Sequence, residues 1–231
     1  MGVTTRQSDS LFSRGRILDV DKISKALDHA TDLGAEYAEI RLVSETTNTA
    51  SLKDGKLERA IPGQEVGVTM RILADGAWGV HSTSDIASIV DQVAPTLRLA
   101  KAVASRRSPA QVAVGLAEVP IIEDEIHWKS TKDVRDTDLD TRIEMMLAID
   151  NEAKDHEKIV STSTGWSDEH IHTELMTSEG MNRVWSFQRS LINGMVTARD
   201  GADVVSYRMR HGGEGGLEVI ESCDLGEMGR N

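Results

Sequence analysis

Cysteine occurs once, at Cys223. No intramolecular disulfide can form and no zinc site can be built from thiolates alone, which fits a reducing compartment, so the cytoplasm is the expected location. Aromatic residues are scarce, at 4 Trp, 2 Tyr and 2 Phe, which leaves the core to Val, Ile, Leu and Met. Positive charge is in deficit: 26 Lys+Arg against 38 Asp+Glu give a net charge of −12 and a pI near 5.0. That is the wrong sign for a surface that must neutralise phosphates, and direct nucleic-acid binding is not expected. No run approaches the ~18 apolar residues of a membrane span. The first twenty residues hold no apolar segment of signal-peptide length, and Arg6 breaks the myristoylation pattern. What remains is 231 residues, 39% of them hydrophobic, enough for one large or two small domains.

The polar residues 1–18 read as a loose N-terminal arm, with the fold starting near Asp19. Ile23, Ala26, Leu27, Ala30 and Leu33 recur at helical spacing, with Asp21 able to cap the start and Gly34 placed to stop the turn. The period then changes to two, as Ala38, Ile40 and Leu42, and later Val66, Val68, Met70 and Ile72, alternate with polar residues. Asp54-Gly55 and Asp75-Gly76 supply turns, so residues 36–83 read as an antiparallel meander of about four strands. Ser84 can cap a second helix carrying Ile86, Ile89, Val90, Val93, Leu97, Ala100 and Val103, kinked at Pro95. Residues 107–138 read as a connection with one short strand at 119–122. A third helix is expected at 139–155, with Leu139, Ile143, Met146, Leu147 and Ala153 on its apolar side. Strands follow at 159–166, 170–177, 183–198 and 202–210.

Glu179-Gly180 and Asp200-Gly201 repeat the first two turns with a displacement of 125 residues. This suggests a duplicated helix-plus-meander unit, one in residues 19–106 and the other in 139–231. The expected fold class is α+β, a curved antiparallel sheet with helices packed on one face.

Among candidate chemical residues, His170, His172 and Glu174 stand at i, i+2 and i+4 of a strand and could turn two imidazoles and a carboxylate to one metal. A plain surface strand explains them as simply. No H-E-x-x-H pattern occurs, and no metal site is assigned. Cys223 reads as a spectator thiol, and no catalytic residue is assigned. Gly212-Gly213-Glu214-Gly215-Gly216 matches no nucleotide fingerprint, and with His211 it reads either as a ligand-facing cleft loop or as an interdomain hinge.

Several segments together resemble the N-terminal region of the TldD/PmbA family, the zinc metallopeptidases once named modulators of DNA gyrase. They are Gly34-Ala35-Glu36-Tyr37-Ala38-Glu39-Ile40-Arg41, Asp54-Gly55-Lys56-Leu57-Glu58, Gly67 to Ile72, Asp75-Gly76-Ala77-Trp78-Gly79-Val80-His81-Ser82-Thr83, Arg199-Asp200-Gly201, and Arg210 to Ile220. The resemblance implies a scaffold that covers a catalytic domain and binds unstructured peptide in a cleft between the two. It also implies pairing with a PmbA/TldE-like subunit or a second copy. The family's zinc sits on an H-E-x-x-x-H helix that would follow Asn231. The expectation is therefore that this chain lacks the catalytic domain, binds no zinc and is inactive alone. A stand-alone noncatalytic binding or regulatory module pairing with a full-length relative is the alternative.

Overall fold

The computed structural model describes residues 15–107 and 112–230. Helix α1 (Val20–Asp32) is followed by three strands, β1 (Tyr37–Lys53), β2 (Lys56–Ala74) and β3 (Ala77–Thr83). A 3-10 turn (Ile86–Gln92), helix α2 (Val93–Ser105), the short strand β4 (Glu123–His127) and a second 3-10 turn (Val134–Asp136) come next. Helix α3 (Leu139–Lys154) then opens a second series of three strands, β5 (Ile159–Thr177), β6 (Asn182–Asp200) and β7 (Asp203–Glu214). Short helices α4 (Leu217–Glu221) and α5 (Leu225–Arg230) follow. A helix followed by three consecutive strands thus occurs twice. The seven strands form an open antiparallel sheet in the order β3-β2-β1-β5-β6-β4, with β7 also paired to β6, so the fold is α+β.

Two compact units divide the chain. The first takes residues 1–44, 65–127 and 172–185; the second takes 45–64, 128–171 and 186–231. The first unit's core joins Ile23, Leu27 and Ala30 of α1 and Val93, Leu97 and Ala100 of α2 to the inward residues Ile40, Leu42, Val68, Met70 and Ile72 of β1 and β2. The second unit's core packs Met146 and Ile149 of α3 on Ala50, Leu52, Trp166, Ile192 and Met209, with Leu217 and Ile220 of α4. Each fully buried aliphatic side chain contributes roughly 1.5–3 kcal/mol.

Several expectations need correction. Residues 36–83 hold three strands, not four, because β1 and β2 continue through polar stretches where no alternation shows. Pro62 lies inside β2, in the half that precedes Val68–Ala74, where β3 pairs. Asp19, not Asp21, caps α1, accepting from Lys22 N at 3.1 Å. Leu33 is 40% exposed. Gly34 does end the helix, at φ 92°. The second helix breaks between Gln92 and Val93, and Pro95 lies in the first turn of α2, where its missing N–H costs nothing. Val103 of that helix is exposed. The short strand forms at Glu123–His127, not at 119–122, because ion pairs hold the acidic run: Asp124 to Arg183 at 2.8 Å and Glu125 to Arg16 at 3.4 Å. The buried side of α3 carries Arg142 and Asp150, whereas Leu139 is exposed. The two strands expected at 159–166 and 170–177 run on as the single strand β5. Of the N-terminal arm, residues 1–14 lie outside the described residues, while Ile17 and Leu18 are tied down by their amides to Glu174.

Candidate functional site

The glycine-rich segment divides at the end of β7. Gly212 and Gly213 are strand residues opposite Leu191 and Ser190 of β6, and Gly215, at φ 139°, turns the chain into α4. Two of the glycines are dictated by close backbone approach. A Cβ on Gly212 would lie 2.4 Å from the Ser190 carbonyl oxygen, and one on Gly216 would lie 1.8 Å from that of Lys132. The turn is held from both sides. Leu217 N donates to Lys132 O at 2.9 Å, and the Glu218 carboxylate accepts from Gly216 N and Lys132 N, each at 3.0 Å. Burial pushes that carboxyl up, but the backbone amides outweigh it and its pKa is lowered. His211, half-buried, points to α4, its Nε2 2.9 Å from Val219 O.

On the opposite side of the same strands the second unit presents an open groove. One part, about 570 Å³, is bounded by Ser167 and Glu169 of β5, Arg189 and Leu191 of β6, and Arg210 and Gly212 of β7. A second part of about 610 Å³ shares Leu191 and Arg210 and adds Ser163, Asn193, Met195 and Arg208. Small residues keep the floor low: a Cβ on Gly165 would sit 2.9 Å from the Asn193 amide oxygen. Arg189 is engaged, pairing with Glu169 at 3.1 Å and Glu214 at 3.9 Å while lying over the Phe187 ring. Of the residues singled out from sequence, Gly212 and Gly213 line this groove and His211, Gly215 and Gly216 do not. The arginines were missed, although the i, i+2 spacing of Arg208 and Arg210 on a strand was the available signal.

The His170, His172 and Glu174 side chains are all buried. They are not a surface strand face. The Glu174 carboxylate is fully used, accepting from Ile17 N and Leu18 N and lying 2.9 Å from His172 Nε2. Among the described residues, no group of three or more His, Cys, Asp or Glu side chains could hold a metal ion. Cys223 is half-buried, and burial, with Asp224 and Glu227 nearby, pushes its thiol pKa up, the reverse of nucleophile activation.

In the first unit the Asp75-Gly76-Ala77-Trp78-Gly79 segment acquires a physical meaning residue by residue. Asp75 and Gly76 both take positive φ, 50° and 68°, in the two-residue turn between β2 and β3. Trp78 meets the Arg71 guanidinium 4.3 Å from its ring centre and the edge of Tyr37 at 5.9 Å. Gly79 admits α2, since a Cβ there would fall 2.2 Å from Thr96 O. Burial, then the hydrogen bond to Glu39, raises the Tyr37 phenol well above its ordinary pKa.

Residues 38–105 match the domain described as PmbA/TldA metallopeptidase domain 1, and residues 132–231 match the PmbA/TldA metallopeptidase central domain. The chain belongs to the PmbA/TldD metallopeptidase family. Two curated relatives are named metalloproteases. That of Methanothermobacter thermautotrophicus is 27% identical over 92% of this chain and 45% of its own length. That of Methanocaldococcus jannaschii is 29% identical over 86% of this chain and 43% of its own. The chain therefore spans less than half the length of these relatives. Among solved structures, a DNA gyrase modulator from Thermotoga maritima superposes with a TM-score of 0.70 at 15% identity, covering 92% of this chain and 46% of that one. TldE from Thermococcus kodakarensis does so with a TM-score of 0.63 at 14% identity, covering 90% and 46%. These share the fold. Membership of the PmbA/TldD family implies a metal, and the described residues do not fit one, since they bring together no group of three or more His, Cys, Asp or Glu side chains able to hold it.

Proposed function

We propose that this chain is the scaffold and substrate-cleft portion of a cytoplasmic PmbA/TldD-type zinc metallopeptidase acting on unstructured peptides, with the metal ligands and the water-activating glutamate supplied from outside residues 1–231. The observation that carries the reading is a pairing. Two family domains cover most of the chain, yet no donor set among the described residues can hold a metal ion. The length of the curated metalloproteases, more than twice the matched segment, supports the same reading. A PmbA/TldE-like subunit or a second copy is the proposed partner. Hydrolysis needs a polarised water that these residues alone do not provide, so no catalytic step is assigned to any of them.

The test combines assay and sequence. Residues 1–231, dialysed against zinc and then metal-free buffer, are expected to retain no stoichiometric zinc and to leave an unstructured fluorogenic peptide intact. Reading the coding sequence on from Asn231 is expected to give an H-E-x-x-x-H helix. Chelator-sensitive hydrolysis by residues 1–231 alone, lost on His172→Ala, would overturn the proposal, and an immediate stop codon would replace it with a noncatalytic binding module.

A further inference from the structure

We propose that the groove over β5, β6 and β7 in the second unit reads carboxylate groups on a short extended peptide, with Arg208, Arg210 and Asn193 as its anion-binding end. Alternation along β7 puts Arg208 and Arg210 on one face, and their strand partners are Met195 and Asn193. Both arginines line the groove. Neither guanidinium has an ion pair or hydrogen bond with a described residue. At the other end Arg189 stands between two carboxylates, Glu169 at 3.1 Å and Glu214 at 3.9 Å, so the groove as a whole carries three arginines against two glutamates. The uncompensated charge of the groove is thus positive, on a chain whose net charge is −12. Two guanidinium forks beside an amide suit a carboxylate, which accepts paired N–H bonds.

Shape selects the rest of the ligand. From Glu214 to Arg208 the strand runs ~20 Å at ~3.3 Å per residue, the length of about six extended residues. The floor of Ser163, Ser167 and Gly212 offers room for a backbone, and Leu191 and Met195 offer apolar contact. No aromatic ring lines either part of the groove, so it lacks the stacking platforms that single-stranded nucleic acid uses. The peptide half of the proposal rests on the metallopeptidase reading; the carboxylate half stands on the arginines.

Fluorescence anisotropy on residues 1–231 tests it with three labelled Ala/Ser hexapeptides: one with a free C-terminus, one amidated, and one amidated with a central glutamate. A carboxylate-bearing peptide is expected to bind about tenfold more tightly than the neutral amide, with the advantage shrinking at high salt. Preference for the free C-terminus identifies terminus reading, and preference for the glutamate identifies side-chain reading. In Arg208→Gln/Arg210→Gln, both exposed and outside the core, the discrimination is expected to vanish with an unchanged melting curve. Equal binding of all three peptides, or discrimination surviving the double variant, overturns the proposal. Displacement of the peptide by a single-stranded oligonucleotide more readily than by acetate overturns it in favour of a phosphate site. Binding is read without turnover, so a failed peptidase assay leaves this outcome intact.

Discussion

Asp168 shows how a charge becomes part of a core. One of its oxygens accepts from Arg142 Nε at 2.7 Å and Trp166 Nε1 at 2.6 Å, and the other accepts from Asn48 at 2.9 Å. Arg142 in turn donates to the carbonyls of Thr137 and Val134, fastening the long connection to α3. Asp168→Ala should cost about 3–5 kcal/mol by leaving a buried guanidinium uncompensated, whereas Arg142→Met/Asp168→Leu should recover much of that loss, as urea unfolding would show. Nothing in the sequence marked this pair, because an isolated Arg or Asp reads as surface. Asp133 gives a pH signature. Burial raises its carboxyl, but the Arg135 side chain and amide hold it at about 2. Its folded pKa lies below the unfolded one, so its contribution is present above pH ~4 and is lost as pH falls through ~2. The size is on the order of 1 kcal/mol after solvent screening. Asp133→Asn should flatten that part of the acid limb in urea midpoints measured from pH 5 to 2. Cys223, with its thiol pushed up, should alkylate slowly at neutral pH and accelerate only above the ordinary thiol range, followed by mass spectrometry.

At the scale of elements, legibility tracked locality. The buried positions Ile23, Ala26, Leu27 and Ala30 of α1 follow from spacing alone, and the Asp54-Gly55 and Asp75-Gly76 turns from the backbone freedom they require. The extents of β1 and β2 did not, because Thr46, Thr47 and Asn48 carry no alternation. What fixes those stretches is pairing with distant strands, as when Asp54 exchanges bonds with Thr162. The groove escaped for the same reason: its arginines, serines and glycines come from three strands and only the glycine run is compact in sequence. Gly79 was legible as a motif letter but not as a contact. Gly79→Ala should destabilise the first unit by about 1–3 kcal/mol, since Thr96 O stands in the way and α2 must shift. Thermal unfolding would check this.

Across the whole chain, the recurring helix and three strands do not coincide with the compact units. Residues 172–185, from the second series, belong to the first unit, and residues 45–64, from the first series, belong to the second. Met176 completes one core, and Ala50 and Leu52 complete the other. A fragment ending at residue 106 should therefore lack fixed tertiary structure alone, with dispersed amide signals appearing only on mixing with residues 112–231. A well-dispersed spectrum from the isolated fragment would contradict this. The turn repeat was readable because it is written in neighbouring residues. The exchange of strand ends was not, because long strands hide where one core stops and another begins.

Strand β7 has one further consequence. Among the described residues it pairs only with β6, so alternate backbone groups on its outer side face solvent, next to Val204, Val205 and Tyr207 at 52%, 68% and 56% exposure. Such a margin is a template for adding copies of itself. Asp203 at its start and Arg208 and Arg210 beyond the apolar run place charge at both ends of that margin, the pattern that discourages fibrillar stacking, so the two arginines that give the groove its charge also flank the exposed edge.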